Sequence, residues 1–283
     1  MIRKGVLFMS FSLFFFSLMH LLIRFVPNVP IPEIILYRSL FSLLISGAMI
    51  QRQGISFWGN RRGLLVLRGI TGALSLMCFF YAIRYMPLAA AITVTNLMPF
   101  FALLLSVYFL KEKVSQLQWF FMALAFIGVY LVKGWDDRIE VLPLLAAIGG
   151  AVFTAGAHFL VRKLRDTEAS DVIIFYFPLV SIPAMTIIML VPGFGYEWYW
   201  PNAQDWVYLF FIGLFTHVGQ LFLTKAYRHA EIGDLAPLYF LGILLALGYG
   251  YFLFQETYSW GAIGGMGLIV LGVALSFMNK AKT

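Results

Sequence analysis

Ionisable and amide side chains set inside apolar runs are where this sequence could do chemistry. A charge at bilayer depth costs about 2.5 to 3.5 kcal/mol even on lenient scales, so it persists only beside a partner, a watery cavity or a ligand. Arg38 stands in Leu36-Tyr37-Arg38-Ser39, more than a turn inside an apolar segment. Glu33 precedes it by five residues, outside the spacings of three and four at which helix side chains meet. The counter-ion of Arg38 therefore belongs on another helix or on a bound solute. Arg68 enters a third segment from the inner side, where snorkelling to the interface competes with a role in coupling or gating. His217, Gln220 and Thr224 follow at i, i+3 and i+7, a polar stripe that either meets a solute or ties helices together. Thr93 and Asn96 precede Pro99, whose ring and missing N–H free a carbonyl one turn back. His20 and His158 each lie about a turn from a helix end, where a structural hydrogen bond competes with gating. Glu33 and His217 are the groups that could carry a coupling proton.

Covalent catalysis is not legible in this set. H-E-x-x-H, G-x-S-x-G and the P-loop are absent, and Cys78, the single cysteine, provides neither a disulfide within the chain nor a cysteine metal site. No cofactor or metal is expected. A polytopic enzyme without a recognisable motif, or a channel, remains the competing class; a channel needs a ring of like groups or a filter loop, and here the polar groups are single and scattered.

Positioning these residues falls to apolar segments. Hydrophobic residues make up 61% of the 283 positions and charged residues 12%, with mean hydropathy +0.88, where soluble domains run near 45–50% and 25%. The composition excludes a soluble domain, and the +7 charge, spread singly between apolar runs, does not form a nucleic-acid stripe. Taking about 20 residues per crossing, ten helices fit near 5–24, 34–50, 64–84, 88–110, 115–133, 141–162, 171–191, 205–227, 235–254 and 259–278. The first run, from Gly5, is too long for a signal peptide and lacks a cleavage site, so it reads as a retained helix. With the N-terminus inside, the inner side collects fourteen Lys and Arg and the outer side four, which predicts cytoplasmic termini. The longest outer loop, Pro192 to Asp205, carries Tyr196, Trp198, Tyr199 and Trp200 instead, residues suited to the headgroup belt.

The chain also repeats itself. A shift of 144 aligns 82–132 with 226–276, with twelve of 51 pairs identical, among them Arg84 with Arg228, Glu112 with Glu256 and Gly128 with Gly272. A shift of 138 places His20 on His158, Arg24 on Arg162 and Glu33 on Asp171. Five helices per half is an odd number, so the halves, residues 1–137 and 138–283, enter the membrane from opposite faces. An all-α membrane protein of ten transmembrane helices in two inverted five-helix repeats follows, with a site near the midplane between them.

Phe80-Tyr81-Ala82 through Pro87-Leu88-Ala89-Ala90-Ala91, then Pro99, Leu110-Lys111-Glu112-Lys113 and Gly128-Val129, resembles the EamA-type drug/metabolite transporters. Ala226-Tyr227, Gly233, Glu256 and Gly272-Val273 repeat the pattern more weakly, with Ile243 in place of Pro99. The resemblance implies a ten-helix carrier of the cytoplasmic (inner) membrane without ATP-binding parts, and leaves the cargo open among amino acids, nucleosides, vitamins and related solutes. The expected solute site is bordered by Asn96, His217, Gln220 and Tyr239, with Arg38 toward the outer mouth. Tyr239 follows Pro237 and is the repeat mate of Thr95. The expected partners are a small solute, the lipid bilayer and a proton as candidate coupling ion, with the chain a monomer or homodimer. Gly261, Gly264, Gly265 and Gly272 on the last helix serve either packing within the chain or dimerisation.

Overall fold

The computed structural model describes residues 2–110, 115–164, 167–230, 235 and 238–278. Its helices are α1 (Ile2–Ile23), α2 (Ile31–Gln53), α3 (Arg62–Tyr85), α4 (Leu88–Thr95), α5 (Met98–Leu110), α6 (Gln116–Gly134), α7 (Val141–Leu164), α8 (Ser170–Leu190), α9 (Ala203–His229), α10 (Tyr239–Phe254) and α11 (Trp260–Met278). One 3-10 turn spans Pro192–Phe194, and no strand occurs among the described residues. α4 and α5 are two parts of one apolar segment, Leu88–Phe109, so the helices amount to ten apolar segments. Eight are of spanning length, and two, within α10 and α11, are shorter.

Local chemistry sets the boundaries. Ser115 with Gln118, and Asn202 with Asp205, form reciprocal capping boxes that satisfy the first free N–H groups of α6 and α9. Pro32 sits in the first turn of α2, where its missing N–H costs nothing. Gly54, at φ 64°, ends the same helix in the left-handed region. Leu44, Tyr130 and Phe252 remain exposed on the outside of the bundle, as apolar side chains do against lipid.

Packing follows the repeat. α1 lies on α9 as α7 lies on α3, α2 touches α9 as α8 touches α3, and α1 meets α10 as α7 meets α4 and α5. The mates α2 and α8, α4 and α10, and α6 and α11 pack on each other. Exchanging the halves therefore returns these contacts. The relation holds residue by residue. A β-carbon on Gly128 would lie 2.6 Å from Gly265 O and 2.8 Å from Ile269, and one on Gly272 would lie 2.6 Å from Phe121 O and 2.9 Å from Ala125 N; the second set is the first shifted by 144. Ser12 Oγ donates to Gly219 O at 2.8 Å, and Ser75 Oγ donates to Gly150 O at 3.4 Å. These are the same two repeat positions with donor and acceptor exchanged. The glycines of α11 thus serve close packing inside the chain, with α6 as their partner, while Gly264 has nothing within 4 Å.

The ends of the bundle differ. At one, called here the aromatic end, the connections after α1, α3, α6, α8 and α10 meet; at the other, the basic end, Gln53 donates to Asp171 at 2.8 Å and Arg61 N–H to Glu168 at 2.7 Å.

Candidate functional site: a cavity on the pseudo-two-fold axis

A cavity of about 210 Å³ lies between the halves, lined from α1, α2, α3, α4, α5, α7, α8, α9 and α10. Its wall obeys the repeat: Phe16 and Thr154, His20 and His158, Gly72 and Thr216, Leu76 and Gln220, Thr95 and Tyr239, and Met98 and Gly242 are mates, and both members of each pair reach the wall. The cavity therefore straddles the axis, where an inverted repeat places its site.

Asn96 sits where the fourth segment breaks. Pro99 has no N–H to give Thr95 O, α4 stops at Thr95, and the turn at Asn96 and Leu97 leads into α5. Asn96 Nδ2 approaches Tyr239 O across the axis at 3.5 Å, so the two stretches meet as their spacing predicts. Pro178 inside α8 likewise cannot donate to Ile174 O, and Ile174 is on the wall. Gln220, Tyr239, Arg38, Arg68, His20 and His158 all line the cavity. His20 lies in the last turn of α1, as its spacing predicts, and packs edge-on against Phe79 with ring centroids 4.8 Å apart, whereas His158 stands nearer two turns from the end of α7.

His217 is placed differently. Thr216, Gln220 and Leu223 take the cavity face of α9, and His217, turned about 100° from Thr216, is absent from the lining. It is 3% exposed with neither ring nitrogen hydrogen-bonded. The i, i+3, i+7 stripe dissolves further, because Thr224 Oγ1 donates to Gln220 O within the helix. Glu33 is also off the wall: it accepts from Tyr37 OH at 3.0 Å and Tyr199 N–H at 3.1 Å, tying α2 to the aromatic loop. Glu112 and Pro237 lie outside the described residues.

Arg38 and Arg68 are the charged members of the wall, 4% and 9% exposed. Their Cζ atoms each lie 5.4 Å from the Phe177 ring centroid, and that of Arg38 lies 5.9 Å from Phe80. Arg68 does not snorkel; it points inward.

At the aromatic end, connections from both halves are tied together. Arg24 pairs with Glu256 at 2.9 Å, donates to Ile83 O at 2.8 Å and also to Met86 O. Glu256 accepts from Leu88 N–H, at the start of α4, at 3.2 Å and from Tyr258 OH. Burial pushes the Tyr258 phenol upward, with the bond to Glu256 adding to it, so it stays a donor. Gln255, at φ 52°, carries the chain through the left-handed region that turns Glu256 inward. Arg84 donates to Val29 O at 2.7 Å, and Arg138, paired with Asp136 at 2.7 Å, reaches Thr257 O. Sequence reasoning counted Arg24 only as a loop charge. The signal available was its spacing: the repeat offsets match Arg24 with Arg162 and Glu256 with Glu112. Phe177 carried no signal in the sequence, standing among the chain's 29 phenylalanines.

The EamA-like transporter family model matches residues 3–134 and again 141–278. This chain belongs to that family. Among EamA-like relatives, the pseudopaline exporter of Pseudomonas aeruginosa is 30% identical over 287 residues, covering 99% of this chain and 98% of its own. Human solute carrier family 35 member G1 is 29% identical over 92% of this chain and 75% of its own, and a riboflavin transporter of Brucella anthropi is 26% identical over 88% and 89%. A solved crystal structure superposes over 100% of both chains with a TM-score of 0.72 at 15% identity, a likeness of fold alone. A multi-pass membrane transporter is thereby established as the class, and the cavity has room for a small solute.

Proposed function

We propose that this EamA-like chain is a secondary transporter that moves a small organic metabolite across the cytoplasmic membrane by alternating access, with both termini cytoplasmic and the repeats divided near residue 137. One observation carries the reading: a cavity on the axis of an inverted repeat, with the two halves tied at the aromatic end by the network around Arg24 and Glu256. In such a fold, exchanging the conformations of the halves yields the state open to the other side. Relatives named as transporters of pseudopaline and riboflavin support a metabolite as cargo. A proton is the coupling ion to test first, through Glu33 and His217; concentrative uptake that survives collapse of the proton gradient excludes it. Counterflow in proteoliposomes tests the carrier reading itself. External unlabelled solute should drive exchange of labelled solute inside, and flux without exchange would indicate a channel.

A further inference from the structure

Arg38 and Arg68 stand in the wall of the cavity without a counter-ion among the described residues. The ion pairs among the described residues are Arg24–Glu256 and Arg138–Asp136, and no Asp or Glu belongs to the described lining. Glu33, on the same helix as Arg38, is occupied by Tyr37 and Tyr199. Nε and Nη1 of Arg38 and Nε of Arg68 are buried with no acceptor. Both guanidinium groups also face aromatic rings: each lies 5.4 Å from the centre of the one Phe177 ring, so the two cations stand within twice that distance of each other. Two like charges held so close in a membrane, with donors left over, are costly together.

The fold does not require them. Under the repeat offsets the mate of Arg38 is Tyr176 and the mate of Arg68 is Ile212, both buried and uncharged. The second half builds the same helix packing without either cation. What the cations answer to is therefore something the cavity receives.

We propose that the cavity binds a small organic dianion whose two separated carboxylates pair with Arg38 and Arg68. A guanidinium offers a planar fork matched to a carboxylate, and two such forks on one wall can each take one carboxylate of a short α,ω-diacid. For transport, the proposal rests on the carrier reading above; for binding it stands alone.

The test uses the full chain in nanodiscs of phosphatidylcholine and the diacids from succinate to pimelate, each beside its half-amide and its diamide. Thermal stabilisation and titration calorimetry report binding. At least one diacid should bind about tenfold or more tighter than its half-amide, and that one tighter than the diamide, a step of one charge-assisted pairing each. Arg38→Gln and Arg68→Gln should each abolish one step of the preference, and Arg38→Lys should keep part of it. Without ligand, both Gln variants should melt at or above the parent temperature, since an unpaired buried charge has been removed. Equal binding of diacid and diamide would overturn the proposal, as would a preference that survives both Gln variants. Variants that fail to fold without ligand would mark structural cations and overturn it equally. Nanodiscs containing phosphatidylglycerol separate the sources of the anion: if the diacid preference disappears only there, a lipid headgroup occupies the site, and binding of the lipid alone would displace the proposal. Diacid binding without counterflow would sink the carrier reading and leave the dianion site. Counterflow of a neutral solute without any diacid binding would do the reverse.

Discussion

Glu256→Gln should unlock the aromatic end. The substitution keeps the shape and an acceptor but removes the charge that organises the rim. Arg24, 2.9 Å away, loses its ion pair but keeps the carbonyls of Ile83 and Met86, and its side chain is 18% exposed. The share of the ion pair therefore sits at the low end of the about 1.5–3 kcal/mol that hydrogen bonds to charged groups contribute. Leu88 N–H, at 3.2 Å, loses a carboxylate at the start of α4, a term of about 0.3–1 kcal/mol. Tyr258 OH keeps an acceptor, a weaker one. The closed rim loses about 2–3 kcal/mol in total, which shifts its closed-to-open ratio roughly 30- to 150-fold. Cys78 is the native cysteine, so a Cys78→Ala background with Thr95→Cys in the cavity wall gives one reporter thiol. In sealed right-side-out vesicles a membrane-impermeant maleimide should label it about tenfold faster or more when Glu256→Gln is added. Arg24→Gln should do the same, and the double variant should add little, because both remove one interaction. Unchanged labelling in a folded Glu256→Gln protein would show that the ion pair does not hold this end shut.

Other consequences follow from the same geometry. Asn96→Ala and Gln220→Ala should each weaken solute binding by about 1–3 kcal/mol with little change in melting temperature; normal affinity in both would leave these amides as ties between helices. Gly265→Val should destabilise by about 1–3 kcal/mol, because a β-carbon there would stand 2.8 Å from Gly128 O, whereas Gly264→Ala, with nothing within 4 Å, should be silent in thermal melts. Equal effects of the two would contradict the tight contact of α6 with α11. A cysteine placed at Asn202 should react with impermeant reagent from outside the cell only, and a reporter fused after Thr283 should be active in the cytoplasm; either result reversed would invert the topology.

What the sequence made legible was whatever has a period or a direction. Helix lengths, the offsets of 138 and 144, and hence the swapped packing of α1 on α9 and α7 on α3, could be read from spacing because the repeat imposes the same contacts twice. The meeting of Asn96 with Tyr239 across the axis came from the same source. Facing was less legible. Three polar residues at helical spacing on α9 look like one stripe, yet Thr216, with the smaller side chain, takes the cavity while His217 turns away, because a face is defined by the neighbouring walls and not by the helix alone. The cations of the cavity show the deeper limit. That Arg38 is buried could be argued from its place in an apolar run, whereas for Arg68 snorkelling was the competing reading. That neither has a counter-ion among the described residues is a property of every other helix at once, and of where Glu33 places its hydrogen bonds. A missing partner has no spacing to read. It becomes visible only when the aromatic end, with Glu256 drawn to Arg24, and the loops, with Asp136 drawn to Arg138, have used their carboxylates elsewhere and left two guanidinium groups facing the same space.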